Sequence, residues 1–247
     1  MATVLLPLPD CDFDVTEVAV PWRLLTDAGH RVVFATEEGA TPAADPLLIS
    51  GVLLGKLGAR PEAIELYRQL EGDPAFVQPR RWDQLSPNDF DALFLAGGHA
   101  PGMRQYLGSE TVQQLAVRFW RLERPVAAIC HGVLVLARAV DPETGQSVLH
   151  QQRTTCLPKY MERSAFWLTA WRRGRYYRTY PAYVQDEVCA ALADPETQFE
   201  RGPRVLTARG TADDDGPAFV VHDGRYLSAR WPGDAYLIGK QLNALLG

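Results

Sequence analysis

The chain has 247 residues, a formal net charge of −5 and 47% hydrophobic residues. That length can bury a full core as one domain, and the acidic balance gives no electrostatic case for binding nucleic acid or an anionic membrane. The four cysteines are widely scattered, with neither a CxxC pair nor a dense disulfide framework, so we expect reduced thiols. No apolar run approaches the length of a membrane span, so we expect no membrane span and a cytoplasmic protein.

The hydrophobic pattern of the first half of the chain predicts strands alternating with helices. The predicted segments are, in chain order, strand 3–8, helix 15–28, strand 30–35, helix 46–57, helix 61–70 and strand 91–96. Residues 41–81 interrupt the strand–helix–strand order, so we interpret them as a helical insertion over one edge of the sheet. This insertion could serve as a lid.

The second half continues the alternation around an apolar strand that stops at Cys130. Its predicted segments are helix 110–122, strand 125–129, helix 131–139, strand 154–157, helices 158–171 and 181–192, a β-hairpin at 218–229 and a last helix from 232. Together the two halves predict a single domain over residues 1–247. Its fold class is α/β, a three-layer, doubly wound, flavodoxin-like sandwich with a mostly parallel sheet and its site at the carboxyl ends of the strands.

The sequence around Cys130 has the form small-x-nucleophile-x-Gly, with Ala128 before the cysteine and Gly132 after it. A side chain at a sharp strand-to-helix turn projects outward only if its neighbours are small, so this spacing predicts a nucleophile elbow. The helix N-terminus that follows should favour the thiolate and lower the pKa of Cys130. The alternative is a small buried hydrophobic residue.

Two neighbouring features could assist that nucleophile. Gly97 and Gly98 end the preceding strand, and we interpret them either as a tight turn or as part of an oxyanion hole with the amide of His131 as second donor. A dinucleotide site fits poorly because the spacing is not GxGxxG. His131 is either the base that keeps Cys130 ionised or a polar residue in a first helical turn.

The remaining histidines and the basic segment 171–178 give no further site. His99, His150 and His222 show no zinc-ligand spacing and the adjacent Cys–His pair offers two ligands at most, so we expect neither metal nor cofactor. Segment 171–178 mixes arginines with aromatic residues as nucleic-acid grooves do, but arginines ending a helix commonly complement its dipole. The segment could also line the mouth of the site or a subunit contact.

Several short motifs resemble the ThiJ/PfpI superfamily and its class I glutamine-amidotransferase-like fold. They are residues 127–132 (Ala-Ala-Ile-Cys-His-Gly), 95–99 (Leu-Ala-Gly-Gly-His), 17–21 (Glu-Val-Ala-Val-Pro) and 27–29 (Asp-Ala-Gly). The resemblance covers most of the chain apart from the insertion. The superfamily includes glutathione-independent glyoxalases, deglycases, stress chaperones, peptidase-like members and isonitrile hydratases.

Carried over by position, the resemblance makes Cys130 the nucleophile, Glu17 the carboxylate beside it, and Gly98 and His131 the amide donors. In the heat-inducible glyoxalase and chaperone branch, an acid after the next strand completes a Cys-His-acid triad. Glu162 is the residue placed to do so, because it shares a helical face with apolar neighbours. The resemblance therefore predicts a triad of Cys130, His131 and Glu162.

Each acid also has a structural interpretation. Glu17 stands three residues after Asp14, which is the spacing of a capping box, and Glu162 could pair with Lys159 on a solvated face. The chain also departs from the heat-inducible branch, which often has Gly-Pro after the histidine where this sequence has Gly-Val. The resemblance thus leaves the branch open.

The resemblance implies chemistry on a small reactive carbonyl compound, of the glyoxalase or deglycase type, such as methylglyoxal to lactate through a Cys130 thiolate. A homodimer is a further expectation. The alternatives are a redox-sensing stress chaperone whose thiol oxidises to a sulfinate held by Glu17, and another cysteine hydrolase or hydratase. A glutaminase fits least, because the C-terminal third has no His-x-Glu.

Overall fold

The structure is a computed structural model that describes residues 1–53, 55, 57–205 and 207–247, and it confirms the predicted α/β class. Its strands are β1 (Thr3–Pro7), β2 (Cys11–Phe13), β3 (Arg31–Thr36), β4 (Ala43–Ala44), β5 (Arg80–Arg81), β6 (Ala92–Leu95), β7 (Val126–Ile129), β8 (Val140–Asp141), β9 (Gln146–Ser147), β10 (Val220–Asp223) and β11 (Tyr226–Ala229). Its α-helices are α1 (Val15–Asp27), α2 (Pro46–Ser50), α3 (Pro61–Leu70), α4 (Pro74–Val77), α5 (Met103–Leu107), α6 (Glu110–Trp120), α7 (Val133–Arg138), α8 (Lys159–Arg173), α9 (Val184–Ala191), α10 (Pro195–Gln198) and α11 (Ala235–Leu246).

The central sheet contains seven of these strands in the order β10-β11-β7-β6-β1-β3-β5. Neighbouring strands are parallel except β10 and β11, which form the predicted C-terminal hairpin. The middle strands β6 and β7 are apolar and fully buried, as expected when helices cover both faces of a parallel sheet. Helix α1 packs against α3 and α11, and α7 packs against α6 and α9, so the sheet lies between two helical layers.

Residues 41–81 are not the purely helical insertion that the sequence predicted. Strand β4 pairs with β2 outside the main sheet, α3 packs against α1, and β5 extends the main sheet beside β3. The predicted helix 46–57 ends at Ser50 because Gly51 has a φ of +90°, and its positions 54 and 56 lie outside the described residues.

Two predicted elements of the second half also differ. Residues 154–157, all within the described part of the chain, form only a single β-bridge, between Thr154 and Phe199. The helix expected from Pro181 begins at Val184. Among the helices that the structure describes, no apolar stretch reaches the length needed to cross a membrane.

The order of the strands brings three distant parts of the chain together at one edge of the sheet. Strands β7 and β6 are neighbours, and β1 lies beside β6. Cys130 directly follows β7, Gly97 follows β6 after one residue, and Glu17 lies in the first turn of α1. The residues singled out from the sequence therefore meet at the carboxyl ends of the strands.

Candidate active site

Cys130 occupies the sharp turn that its sequence context predicted. It begins a 3₁₀ turn, Cys130–Gly132, between β7 and α7, and its φ is +58°, a left-handed conformation that is unusual for a residue other than glycine. A Cβ atom on Gly132 would lie 2.2 Å from the Leu95 carbonyl oxygen. Only glycine fits there, because the elbow presses the chain against the end of β6.

The His131 ring lies between the sulfur of Cys130 and the hydroxyl of Thr179. Its Nδ1 is 3.5 Å from Cys130 Sγ and its Nε2 is 3.3 Å from Thr179 Oγ1. The Thr179 hydroxyl donates its only hydrogen to the His99 carbonyl oxygen at 2.6 Å, so it must accept from His131. Nε2 therefore carries the hydrogen and the lone pair of Nδ1 faces the sulfur.

Burial and the neighbouring His99 lower the pKa of His131 well below its usual range. The imidazole is therefore neutral, and its free lone pair at Nδ1 can accept the thiol proton. In this tautomer, His131 is suited to act as a general base toward Cys130.

Glu17 presents a buried carboxyl group to the elbow. Its Oε2 accepts a hydrogen bond from the Gly97 amide at 2.8 Å, while Oε1 is buried and has no hydrogen-bond partner in the described part of the chain. Burial first, and then the nearby Asp14, raise the pKa of Glu17 well above its usual range. The protonated form is favoured, and the proton belongs on Oε1, where nothing else donates.

The capping-box interpretation of Glu17 is wrong, although Asp14 does cap the helix. Asp14 Oδ1 accepts hydrogen bonds from the amides of Thr16 and Glu17, as expected of an N-cap residue. The Asp14 amide, however, donates to the Gly97 carbonyl oxygen and not to the Glu17 carboxyl. The side chain of Glu17 is therefore free to face the elbow.

The expected lowering of the Cys130 pKa is wrong for this arrangement. The side chain is 0% exposed, and burial raises its pKa well above the usual range, with Glu17 and Asp14 adding to the effect. A hydrogen bond from the His131 amide acts in the opposite direction but does not outweigh burial. The sulfur therefore rests as a thiol, and ionisation needs a base.

Gly97 and Gly98 lie where close packing of the backbone leaves no room for a side chain. A Cβ on Gly97 would lie 2.7 Å from the His131 amide nitrogen, and one on Gly98 would lie 2.8 Å from the Asp12 carbonyl oxygen. The Gly97 amide is already bound to Glu17. Within the described residues the Gly98 N–H makes no hydrogen bond, so it is the amide available to a substrate oxygen.

Glu162 does not complete a triad with His131. Its Oε1 accepts a hydrogen bond from Arg178 Nη1 at 3.1 Å and its Oε2 accepts one from the Val184 amide at 3.0 Å. The inward orientation predicted for this residue is correct, because Glu162 is buried. Its carboxyl group, however, holds the segment after α8 in place, and Thr179 stands where the acid was expected.

The alternative interpretation of Glu162, a solvated ion pair with Lys159, is not what these two side chains form. Lys159 pairs with Asp186 at 2.6 Å instead. The buried pair of Glu162 with Arg178 is the one that orders residues 178–184.

Three aromatic side chains, His99, Tyr176 and Tyr177, which we call the cover, link the His131 ring to residues 41–81. The His99 ring packs edge-on against that of His131, with 4.7 Å between ring centroids, and against that of Tyr177 at 5.8 Å. The hydroxyls of Tyr176 and Tyr177 donate to Asp45, at 3.2 and 3.1 Å. Residues 41–81 thus contact the cover, through Asp45.

His99 and Thr179 are the site residues whose roles the sequence analysis missed. His99 followed the glycine pair directly, and that position was the available signal. Nothing in the sequence marked Thr179. The structure also places ligand atoms of His99, Cys130 and His131 within 4.8 Å of one another, a proximity that the sequence spacing did not indicate. Neighbouring strands, not sequence spacing, bring them together.

Comparisons with known proteins identify the family and the fold. A family model described as ThiJ/PfpI family-like matches residues 8–203. A deglycase of Pyrococcus horikoshii is 30% identical over 95% of this chain and 94% of its own length. Glyoxalase 3 of Candida albicans is 24% identical over 57% of this chain and 58% of its own length. The crystal structure of glyoxalase III from Candida albicans has a TM-score of 0.70 at 20% identity, covering 99% of this chain and 97% of that one.

The fold and the elbow define a doubly wound α/β protein with a cysteine at the strand-to-helix turn. The chain belongs to the ThiJ/PfpI family. The resemblance recognised from the short motifs is therefore confirmed, and relatives named as glyoxalases and deglycases are among its matches.

Proposed function

We propose that the protein acts on small reactive carbonyl compounds of the 2-oxoaldehyde type, with Cys130 as nucleophile and methylglyoxal to lactate as the reaction. The observation that carries the proposal is the pair of Cys130 Sγ and the free lone pair of His131 Nδ1, 3.5 Å apart, beside the carboxyl of Glu17. The names of the glyoxalase and deglycase relatives support the same class of substrate.

The first step joins the sulfur to the aldehyde carbon. His131 Nδ1 takes the thiol proton while the sulfur forms the new C–S bond and the carbonyl electron pair moves to oxygen. That oxygen can accept a hydrogen bond from the Gly98 amide, and the proton of His131 then neutralises it. The product is a hemithioacetal on Cys130.

The second step moves hydrogen within the substrate. The carbon bound to sulfur loses its proton to His131 while Glu17 protonates the ketone oxygen, which gives an enediol. His131 then returns the proton to the neighbouring carbon, and the hemithioacetal hydroxyl gives its proton to Glu17 as its oxygen becomes the thioester carbonyl. The result is a thioester of a 2-hydroxy acid, and water then breaks the C–S bond to restore the Cys130 thiol. One dicarbonyl molecule and one water give one hydroxy acid, so the balance needs no external oxidant or reductant.

The cover over the site favours a small substrate and disfavours the redox-sensor alternative. Cys130 is fully buried, and the neighbouring His131 ring packs against His99, which in turn packs against Tyr177, so a three-carbon dicarbonyl is easier to admit than a protein side chain. A peroxide sensor reacts through an accessible thiolate, whereas burial here raises the pKa of the thiol.

The test is lactate formation from methylglyoxal without added glutathione. We expect wild type to form lactate, Cys130→Ser to form none, and Cys189→Ser to match wild type, because Cys189 lies in α9 away from the elbow. Equal lactate from wild type and Cys130→Ser, or none from wild type, would contradict the proposal.

The homodimer stays a prediction, which sedimentation velocity of the same protein can check.

A further inference from the structure

Three donor atoms converge at the elbow at distances close to those of a tetrahedral metal site. The ligand atoms of His99, Cys130 and His131 lie within 4.8 Å of one another, and Cys130 Sγ is 3.5 Å from His131 Nδ1. With Zn–S near 2.3 Å and Zn–N near 2.0 Å, a tetrahedral ion holds sulfur and nitrogen ligands about 3.5 Å apart. Two of the three donors already have this spacing, and the third needs a shift of about 1 Å to reach it.

The hydrogen bonds around these donors leave them ready to bind a cation. Thr179 accepts from His131 Nε2, which fixes the tautomer whose Nδ1 lone pair faces the sulfur, and it donates to the His99 carbonyl. Such outer contacts orient histidine ligands in metal sites. The Nε2 atom of His99 is buried and makes no hydrogen bond to any part of the chain described, so this nitrogen is free to act as a metal ligand.

We propose that His99, Cys130 and His131 form a binding site for a thiophilic divalent ion, Zn²⁺, which binds when the Cys130 thiol releases its proton. One imidazole–thiolate–imidazole set with an open fourth position is a ligand set that zinc accepts. Zinc on the sulfur removes the nucleophile, so the ion inhibits carbonyl chemistry. The binding stands by itself, whereas the inhibition rests on the proposed function.

The test uses the full chain after removal of metal by a chelator and titration with Co²⁺ and with Zn²⁺. We expect a thiolate-to-cobalt charge-transfer band with the intense visible bands of tetrahedral Co²⁺, displacement by Zn²⁺, and release of about one proton per ion bound. Equilibrium dialysis should give one Zn²⁺ per chain, because the three donors form a single site.

Variants locate the ion. Cys130→Ser should abolish the charge-transfer band, and His99→Gln should weaken binding by at least the 10- to 100-fold typical of disturbing a zinc site. The matched controls, Cys189→Ser and His150→Gln, should bind as wild type does, and circular dichroism checks that each variant is folded. Thr179→Val, which leaves all three ligands in place, should weaken binding by about 10-fold.

Two results would overturn the metal site: no charge-transfer band in wild type, or an unchanged band in Cys130→Ser. Binding is measured without substrate, so its failure is separable from failure of the proposed function. If the protein binds cobalt through Cys130 but forms no lactate, the metal site is supported and the proposed reaction is refuted. If lactate formation is unchanged at saturating Zn²⁺, the inhibition by zinc is refuted.

Discussion

Replacing Thr179 by valine should slow the reaction without preventing substrate binding. Valine keeps the shape of threonine but removes the hydroxyl that accepts from His131 Nε2 and donates to the His99 carbonyl. The ring then loses the contact that fixes its tautomer, and a buried N–H is left without a partner. Leaving such a donor unsatisfied costs about 1–3 kcal/mol.

If that cost falls on the transition state, kcat should drop about 5- to 150-fold, since 1.36 kcal/mol is tenfold in rate. The loss in kcat should be smaller than the roughly 10⁴-fold loss that follows removal of the carboxylate that orients the histidine of a catalytic triad. The reason is that a neutral hydroxyl stabilises an imidazolium less than a carboxylate does.

The assay is steady-state lactate formation by wild type, Thr179→Val and Thr179→Ser, with unfolding by urea as the stability control. We expect kcat to fall and KM to stay unchanged in the valine variant, and serine to restore most of the rate because it keeps the hydroxyl. Wild-type kcat in the valine variant, or a serine variant as slow as valine, would refute the assignment.

Two further substitutions test the acids. Glu17→Gln keeps the hydrogen bond from Gly97 but cannot donate a carboxyl proton, so kcat should fall about 10²–10⁴-fold, the usual contribution of a general acid, while thermal unfolding stays near wild type; an unchanged kcat would reduce Glu17 to a structural role. Glu162→Gln should lower the free energy of unfolding by about 3 kcal/mol because it leaves Arg178 buried without its partner, while kcat of the folded fraction stays close to wild type; a kcat loss with unchanged unfolding would return Glu162 to the catalytic centre.

The fold could be predicted well because the hydrophobic pattern and the short motifs of the sequence indicated the same α/β class. Apolar runs bounded by helical patterns gave the strand and helix alternation, and the spacing around Cys130 gave the elbow. Residues 41–81 could not be predicted as well, because β5 joins the sheet as only Arg80 and Arg81, too short for an alternating or apolar pattern. Two-residue strands are defined by their neighbours, not by their own sequence.

Of the site, only the residues marked by short motifs or by their position at the end of a strand could be predicted. Cys130, Glu17 and His131 follow or precede recognisable elements, and the structure brings them together. The error at Glu162 has a physical cause, because helical periodicity shows that a side chain points inward but not which polar partner it meets. Arg178 lies 16 residues further along the chain and takes that carboxyl. The burial that raises the pKa of Cys130 depends on the folded cover, which no local pattern reveals.

The complete burial of Cys130 makes access to its sulfur a conformational step, and we expect the contacts of Tyr176 and Tyr177 with Asp45 to resist that step. Both hydroxyls bond to one carboxyl group, so complete separation of the cover from Asp45 breaks two hydrogen bonds. A reagent then meets Cys130 only in the open fraction of molecules, and its observed rate is the intrinsic rate multiplied by that fraction. When opening is slower than bond formation, turnover reports the opening rate, and substitutions at Asp45, which lies outside the reacting groups, would change kcat.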